Sequence, residues 1–182
     1  MSGDSTFQKL AAFGVIPVLA IESAEAALPL ADALLAGGLP VAEITFRTTA
    51  AAQVIDILSA RRPELLVGAG TVLSEANLDA AVACGARFGV APGLNPRIVG
   101  RAQESGLPFM PGVSTATEIE QALALGCRTV KFFPAELAGG IEMIKALSAP
   151  YAHTGVRFVP TGGVHADNLA SYLGVPTVAA VG

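Results

Sequence analysis

One lysine lies within an apolar stretch of the chain. Residues 129–136 read Thr-Val-Lys-Phe-Phe-Pro-Ala-Glu, and Lys131 is one of only three lysines in the sequence. β-Branched and aromatic neighbours of this kind are typical of a buried strand. An ammonium group there must be paired, reach water along its methylene chain, or lose its proton, and a neutral amine can attack a ketone to form a Schiff base. Two interpretations of Lys131 are therefore open, a strand-end lysine that reaches water and a nucleophile.

A carboxylate occurs inside another apolar stretch, Val-Ala-Glu-Ile-Thr-Phe at residues 41–46. If the strands that carry Glu43 and Lys131 face one cavity, the two groups can shift each other's pKa and exchange protons through a substrate or a water. The alternative is a buried ion pair that only holds the fold together.

The elements that must position these two groups alternate regularly along the chain. Short apolar runs predict eight strands, at 15–21, 41–46, 65–70, 87–91, 107–111, 129–133, 156–160 and 176–181. A leading helix is predicted at 5–13, and seven further helices follow the first seven strands. The clearest helix starts are Ser23, Ser74, Asn95 with Pro96, and Thr115 with Glu118.

Continuous apolar strands that alternate with helices indicate a parallel sheet covered on both faces. Eight such units in register predict an α/β fold, a (β/α)₈ TIM barrel, formed as one domain by residues 1–182. A doubly wound open sheet is the alternative, but the first turn has no phosphate-binding fingerprint. The sequence stops at Gly182, directly after the eighth strand, so we expect a barrel whose eighth helix is missing and a chain that is truncated there.

Composition excludes several classes of function. The net charge is −4 and there is no basic run, which argues against a nucleic-acid partner. No apolar run reaches the roughly 20 residues of a membrane span, and the N-terminus lacks the pattern of a secretory signal. Cys84 and Cys127 have no metal-ligand spacing and are expected to be small buried thiols in a reduced cytoplasm.

Six sequence blocks at the predicted strand ends resemble the 2-keto-3-deoxy-6-phosphogluconate aldolase family. They are Glu-Ile-Thr-Phe-Arg-Thr (43–48), Gly-Ala-Gly-Thr-Val (68–72), Ala-Pro-Gly-Leu (91–94), Pro-Gly-Val-Ser-Thr (111–115), Val-Lys-Phe-Phe-Pro-Ala-Glu (130–136) and Pro-Thr-Gly-Gly-Val (160–164). The resemblance implies a metal-free and cofactor-free class I aldolase, a lyase. It also implies a cytoplasmic homotrimer that cleaves the phosphorylated sugar acid to pyruvate and glyceraldehyde 3-phosphate in the Entner–Doudoroff pathway.

The resemblance also assigns roles to individual residues. Lys131 matches the Schiff-base lysine and Glu43 the general acid/base. Arg47 and Thr71 match residues that hold the pyruvate carboxylate, and the planar guanidinium of Arg47 suits a carboxylate; the alternative for Arg47 is a surface salt bridge. Residues that shape the wall of the substrate pocket are matched by Pro92 and Phe133.

A phosphate site is predicted after the seventh strand. Gly162 and Gly163 are expected to open the following helix, where backbone N–H groups can receive phosphate. In barrels, phosphate sites form from the loops after strands seven and eight, which adds Gly182. The family has a Gly-Ser pair at that point, and only its glycine is present here. His165 is expected to be a surface or capping residue.

Several functions remain open at this stage. The galactonate epimer and 4-hydroxy-2-oxoglutarate are rival substrates, although a hydroxyl at Thr161 could bond the C4 hydroxyl of the gluconate epimer and favours that one. A non-catalytic assembly scaffold built on this barrel is the alternative from another class. A sugar-phosphate isomerase is a third, but it has no need for a lysine inside the sixth strand.

Overall fold

The computed structural model describes residues 2–182, with the side chains of residues 5–182; Met1, the first residue of the predicted domain, lies outside the described residues. Its helices are α1 (Ser2–Phe13), α2 (Ala27–Ala36), α3 (Ala51–Arg61), α4 (Glu75–Ala83), α5 (Pro96–Glu104), α6 (Ala116–Ala124), α7 (Gly140–Ser148) and α8 (Ala166–Leu173). Its strands are β1 (Val18–Leu19), β2 (Val41–Thr45), β3 (Leu66–Gly70), β4 (Phe88–Val90), β5 (Phe109–Met110), β6 (Gly112–Val113), β7 (Thr129–Phe132) and β8 (Arg157–Pro160).

The strands pair in parallel and in chain order, as the alternating pattern predicts. β1 to β5 form one ladder and β6 to β8 another. The two ladders meet at Pro111, which has no N–H to donate: the fifth predicted strand, 107–111, contains β5, and β6 lies just past its predicted end. The backbone continues across this point, since Lys131 N–H donates to the Pro111 carbonyl over 2.9 Å. The sixth and seventh predicted strands are therefore β7 and β8.

The eighth predicted strand, 176–181, is wrong as a continuous strand. Two isolated parallel bridges replace it, Phe158 with Val178 and Val15 with Val181. Through them the segment bonds to β8 on one side and to the chain before β1 on the other, and so completes the ring of a (β/α)₈ barrel. α1 precedes the first strand, and no helix follows the eighth position within residues 2–182.

Local side-chain capping determines where several of the helices begin. Ser74 accepts from Asn77 N–H, Asn95 accepts from Arg97 N–H, and Thr115 forms a reciprocal capping box with Glu118. These predicted starts are confirmed. Ser23 differs, because it caps a 3₁₀ turn at Ala24–Ala26 and α2 begins only at Ala27.

Apolar side chains form two layers. The larger cluster lies between the helices and the outer face of the barrel. The smaller one fills the inside of the barrel, where Leu10 of α1 packs with Ile16, Val41 and Leu66 near the amino ends of the strands. α1 therefore closes the lower end of the barrel, and the site described below lies toward the carboxyl ends of the strands. Within residues 2–182, no helix combines the length and the apolar character that crossing a membrane requires.

Candidate active site

The barrel brings Lys131 and Glu43 together. Glu43 lies in β2 and Lys131 in β7, and both side chains point into the barrel, with 3% and 7% of their surface exposed. The distance from Lys131 Nζ to Glu43 Oε1 is 3.5 Å. The two are the only charged residues in the buried part of the described chain. A strand-end lysine that reaches water is therefore not what the structure shows.

Burial controls the charge state of the carboxylate in this pair. Loss of water raises the pKa of Glu43, and the nearby ammonium of Lys131 opposes this shift without cancelling it. Glu43 Oε1 accepts no hydrogen bond within the described residues, because the lysine nitrogen lies beyond hydrogen-bond distance. A carboxyl group that holds its proton more readily than usual, with an oxygen still able to bond, suits both acid and base steps.

Glycine at two positions of β3 makes room for this arrangement. A Cβ atom on Gly70 would lie 2.2 Å from Glu43 Oε1, and one on Gly68 would lie 2.2 Å from the ring of Phe88. The alternation in Gly-Ala-Gly at 68–70 carried this signal, since residues two apart on a strand face the same side. The role of Gly70 beside Glu43 was not predicted.

Thr71, directly after β3, has an unusual backbone conformation. Its φ is +55°, the only positive φ of a non-glycine residue within the described chain. The left-handed region disfavours β-branched residues, so this conformation costs on the order of 1–3 kcal/mol, and such strain is concentrated at functional sites. The residue types in this stretch do not predict this conformation. It supports the prediction that Thr71 has a binding role.

The other predicted pocket residues differ in their exposure and in their contacts. The ring of Phe133 is centred 5.6 Å from Lys131 Nζ, within the range of a cation–π contact, and the residue is 36% exposed. Pro92 is half-buried, and its carbonyl oxygen would lie 2.1 Å from a Cβ on Gly112. Arg47 is exposed and has no ion pair with any residue the structure describes, so the alternative of a surface salt bridge is not observed.

The two glycines after β8 form a turn rather than a helix start, because α8 begins only at Ala166. The N–H groups of the two glycines therefore belong to the turn that leads into α8 and not to the first turn of the helix. Both glycines have positive φ, +95° and +85°, which L-residues with side chains adopt at a cost. His165 is the N-cap of α8, as expected for a capping residue, and its ring accepts from Asp167 N–H.

Three successive carbonyls of this turn accept hydrogen bonds. Thr161 O accepts from Ala135 N–H over 2.8 Å, and Gly162 O accepts from Glu136 N–H over 3.0 Å. Gly163 O accepts from the Asn168 side chain over 3.0 Å. The N–H groups of residues 162–164 donate to no acceptor within residues 2–182. Successive unbonded N–H groups make a concave site for an anion.

Gly182 lies beside this turn. Its N–H donates to Pro160 O over 2.9 Å, and a Cβ on it would lie 2.7 Å from Thr161 Oγ1. Gly182, Gly162 and Gly163 all line a groove of about 540 Å³. The structure thus brings the three predicted phosphate residues together. Lys131 and Glu43 do not line this groove.

The remaining reactive side chains are not part of the site. Cys84 and Cys127 are free, and burial raises the pKa of the Cys127 thiol to about 11. Among the side chains that the structure describes, no three of His, Cys, Asp and Glu are grouped as metal ligands would be.

A lysine amine buried beside a carboxylate inside a parallel barrel supplies the groups that an imine-forming lyase, a class I aldolase, requires. Comparison with known proteins gives the family. The sequence model described as "Aldolase: KDPG and KHG aldolase" matches residues 7–182, and the chain belongs to this family. KDPG is 2-keto-3-deoxy-6-phosphogluconate.

Individual relatives agree with this assignment. A 2-dehydro-3-deoxy-phosphogluconate aldolase of Treponema pallidum is 50% identical over 176 residues, which cover 97% of this chain and 83% of the relative. A KDPG aldolase of Legionella pneumophila, solved with pyruvate captured at low pH as a covalent carbinolamine, superposes with a TM-score of 0.92 at 43% identity, covering 100% of this chain and 85% of that one. The KDPG aldolase of Zymomonas mobilis with 3-phosphoglycerate gives 0.91 at 40% identity, covering 99% and 83%.

Proposed function

We propose that this chain is a class I aldolase that cleaves 2-keto-3-deoxy-6-phosphogluconate to pyruvate and glyceraldehyde 3-phosphate, with Lys131 as the Schiff-base residue and Glu43 as the acid/base. The observation that carries the proposal is the buried pair, with Lys131 Nζ 3.5 Å from Glu43 Oε1 inside the barrel. The family supports it, and so does the pyruvate carbinolamine of the Legionella relative, an adduct of the kind a lysine amine forms with a ketone.

The first half of the reaction builds an electron sink. The neutral amine of Lys131 attacks the C2 ketone to give a carbinolamine, whose hydroxyl takes up a proton and leaves as water to give an iminium ion; hydrolysis of the iminium at the end of the cycle releases that proton. Glu43 then accepts the proton of the C4 hydroxyl, directly or through a water. The C4 oxygen becomes the aldehyde of glyceraldehyde 3-phosphate, the C3–C4 bond breaks, and its electron pair moves into the iminium to form an enamine.

The second half returns the proton. Glu43, now protonated, donates to C3 of the enamine and regenerates the iminium of pyruvate, which water hydrolyses to pyruvate and the free amine. One carboxyl group must therefore accept and donate within a single turnover. The raised pKa of Glu43 supports this double role, because it brings the group closer to the working pH.

Binding groups surround the reacting carbons in the proposal. Arg47 and Thr71 hold the carboxylate of the substrate, the guanidinium of Arg47 being exposed and without an ion pair in the described chain. Pro92 and Phe133 form the wall beside the amine. The phosphate enters the turn at Gly162–Gly163, where successive N–H groups have no acceptor within residues 2–182, and Gly182 borders that site.

Borohydride trapping tests the covalent step. With pyruvate present, reduction should add a pyruvate-derived mass to the peptide that contains Lys131, because borohydride reduces the iminium to a stable amine. Lys145 provides the matched control, since its side chain is 57% exposed and bonds to Glu142 on the surface of α7. A Lys145→Ala variant should give the same adduct. If the unchanged chain forms no adduct on Lys131, the proposal is overturned.

Thr161 supports the gluconate epimer as the preferred substrate. The residue is 8% exposed, and its hydroxyl makes only a 3.4 Å contact with Val159 O, so it remains able to bond a substrate hydroxyl. We expect kcat/KM for this epimer to exceed that for the galactonate epimer and for 4-hydroxy-2-oxoglutarate. Thr161→Val should reduce that preference, because the hydroxyl is lost while the shape remains.

The proposal extends to a homotrimer that acts in the Entner–Doudoroff pathway of the cytoplasm, as the family resemblance implies. Light scattering tests the assembly, and the expected mass is three times that of the 18.3 kDa chain. A monomer that cleaves the substrate at full rate would contradict this part alone.

A further inference from the structure

One buried tyrosine has no part in the proposed reaction. Tyr172, in α8, has 0% of its surface exposed, and its hydroxyl donates to Glu136 Oε1. Glu136 lies five residues beyond Lys131, in the loop between β7 and α7. Burial, together with the hydrogen bond to Glu136, raises the pKa of Tyr172, so the phenol keeps its proton and remains a donor. This bond joins two segments that are 36 residues apart in the chain.

Glu136 also contacts the glycine turn with its backbone and with its side chain. Its N–H donates to Gly162 O over 3.0 Å. A Cβ on Gly163 would lie 2.5 Å from Glu136 Cγ and 2.6 Å from its Cβ, so the side chain packs directly against the glycine. The absence of a side chain at Gly163 therefore leaves room for Glu136 and also allows the positive φ of the turn.

α8 holds the turn from the other side. Asn168 donates to Gly163 O over 3.0 Å and accepts from His165 N–H over 2.8 Å. The turn is therefore held by two separate elements, the loop with Glu136 and the helix with Asn168. The bond from Tyr172 to Glu136 connects these two elements to each other.

We propose that Tyr172 and Glu136 are positioning residues that keep the turn at Gly162–Gly163 in the shape that receives the substrate phosphate. The inference rests on the proposed function. Without the Tyr172 hydroxyl, the two elements that hold the turn can move independently, and its N–H groups no longer converge. Binding of the phosphorylated substrate weakens, whereas the chemistry at Lys131 and Glu43 continues.

The test compares a reaction that needs phosphate with one that does not. Exchange of the pyruvate methyl protons with deuterium requires the lysine, the carboxyl group and the residues that bind the pyruvate carboxylate, but no phosphate, whereas cleavage of the phosphorylated sugar acid also requires the turn. For Tyr172→Phe we expect KM for cleavage to rise about tenfold, at the low end of what loss of a hydrogen bond to a charged group produces. The kcat value and the rate of pyruvate exchange should stay within about twofold of the unchanged chain.

Variants of Glu136 and Tyr151 distinguish the positioning role from an effect of charge and from a general loss of stability. Glu136→Gln keeps an oxygen that can accept from Tyr172, so KM should stay within about threefold, whereas Glu136→Ala should behave like Tyr172→Phe. Tyr151→Phe is the matched control, because Tyr151 donates to Glu120 over 2.9 Å in an exposed tyrosine–glutamate bond elsewhere on the molecule. It should change neither reaction.

The outcomes distinguish the two proposals. An unchanged KM in Tyr172→Phe, or equal losses of cleavage and pyruvate exchange, would overturn the positioning role. If Tyr172→Phe does not fold, Glu136→Ala must show the same selective rise in KM for the inference to hold. Absence of both reactions in the unchanged chain would instead contradict the proposed function.

Discussion

Replacing Gly70 by alanine should disable the carboxylate without touching the lysine. The new Cβ would lie 2.2 Å from Glu43 Oε1 and 2.7 Å from its Cγ, whereas non-bonded heavy atoms settle at about 3.5–4.0 Å. The carboxylate must therefore move by at least about 1.3 Å. A misplacement of about 1 Å in an active site costs roughly 10²-fold in rate, and complete loss of a general acid/base costs roughly 10²–10⁴-fold.

The assay is deuterium exchange into pyruvate, followed by proton NMR. We expect exchange to fall by at least about 10²-fold in Gly70→Ala, because Glu43 moves the proton in that step. Borohydride trapping on Lys131 should persist, since it requires only the amine. Overpacking should lower the free energy of unfolding by about 1–3 kcal/mol, which a thermal melt would detect.

Two other glycines provide matched controls. Gly68→Ala introduces an equally close contact, 2.2 Å, but with the ring of Phe88 and not with Glu43. It should destabilise the barrel to a similar extent and largely retain exchange. Gly100→Ala, in α5, has no heavy atom within 4 Å and should be stabilising, because alanine favours the helix. Wild-type exchange in Gly70→Ala, or equal losses in Gly68→Ala, would refute the reasoning.

Three further predictions follow from the buried groups. Lys131→Ala should abolish cleavage yet still fold, because Glu43 can take up a proton. The pKa of Glu43 is higher in the folded than in the unfolded chain, so its contribution to stability is lost as pH rises above the ordinary value of 4.5. The melting temperature of this variant should therefore fall as pH rises. Glu43→Gln should still be trapped by borohydride but exchange pyruvate protons roughly 10²–10⁴-fold more slowly; an unchanged rate would assign the proton transfer to another group. Alkylation of Cys127 in the folded chain should rise about tenfold per pH unit from pH 8 to 10, without levelling near the ordinary thiol value of 9.0, because its pKa is about 11; a plateau near pH 9 would contradict this.

Some parts of the fold could be predicted to the residue because their causes are local. The start of α6 follows from Thr115 and Glu118, whose side chains and backbones bond each other within four residues. The starts of α4 and α5 likewise depend on single capping side chains. The eighth strand had no such local cause. The ring closes through one bridge to Val15 and one to Phe158, where the apolar pattern predicted a continuous ladder.

The candidate site shows the same division. Glu43 and Lys131 are 88 positions apart, yet a barrel sends inward side chains of different strands to one interior, so their proximity could be predicted. The positive φ of Thr71 depends on its surroundings and has no signature in residue type. The hydrogen bond between Tyr172 and Glu136 could not be predicted either. It joins a helix to a loop 36 residues away, and the sequence around one residue does not indicate the position of the other.

The apolar cluster that closes the barrel at the amino ends of its strands affects how protons move between the site and the solvent. Because Leu10 and its neighbours in the smaller apolar cluster fill that end, substrate, product and water reach the buried pair from the carboxyl ends of the strands. A bound substrate then shelters Glu43 from bulk solvent for as long as it stays. In the proposed reaction, the proton that Glu43 accepts from the C4 hydroxyl can then pass to C3 of the enamine without first entering bulk solvent, so one proton serves both steps while the site is covered.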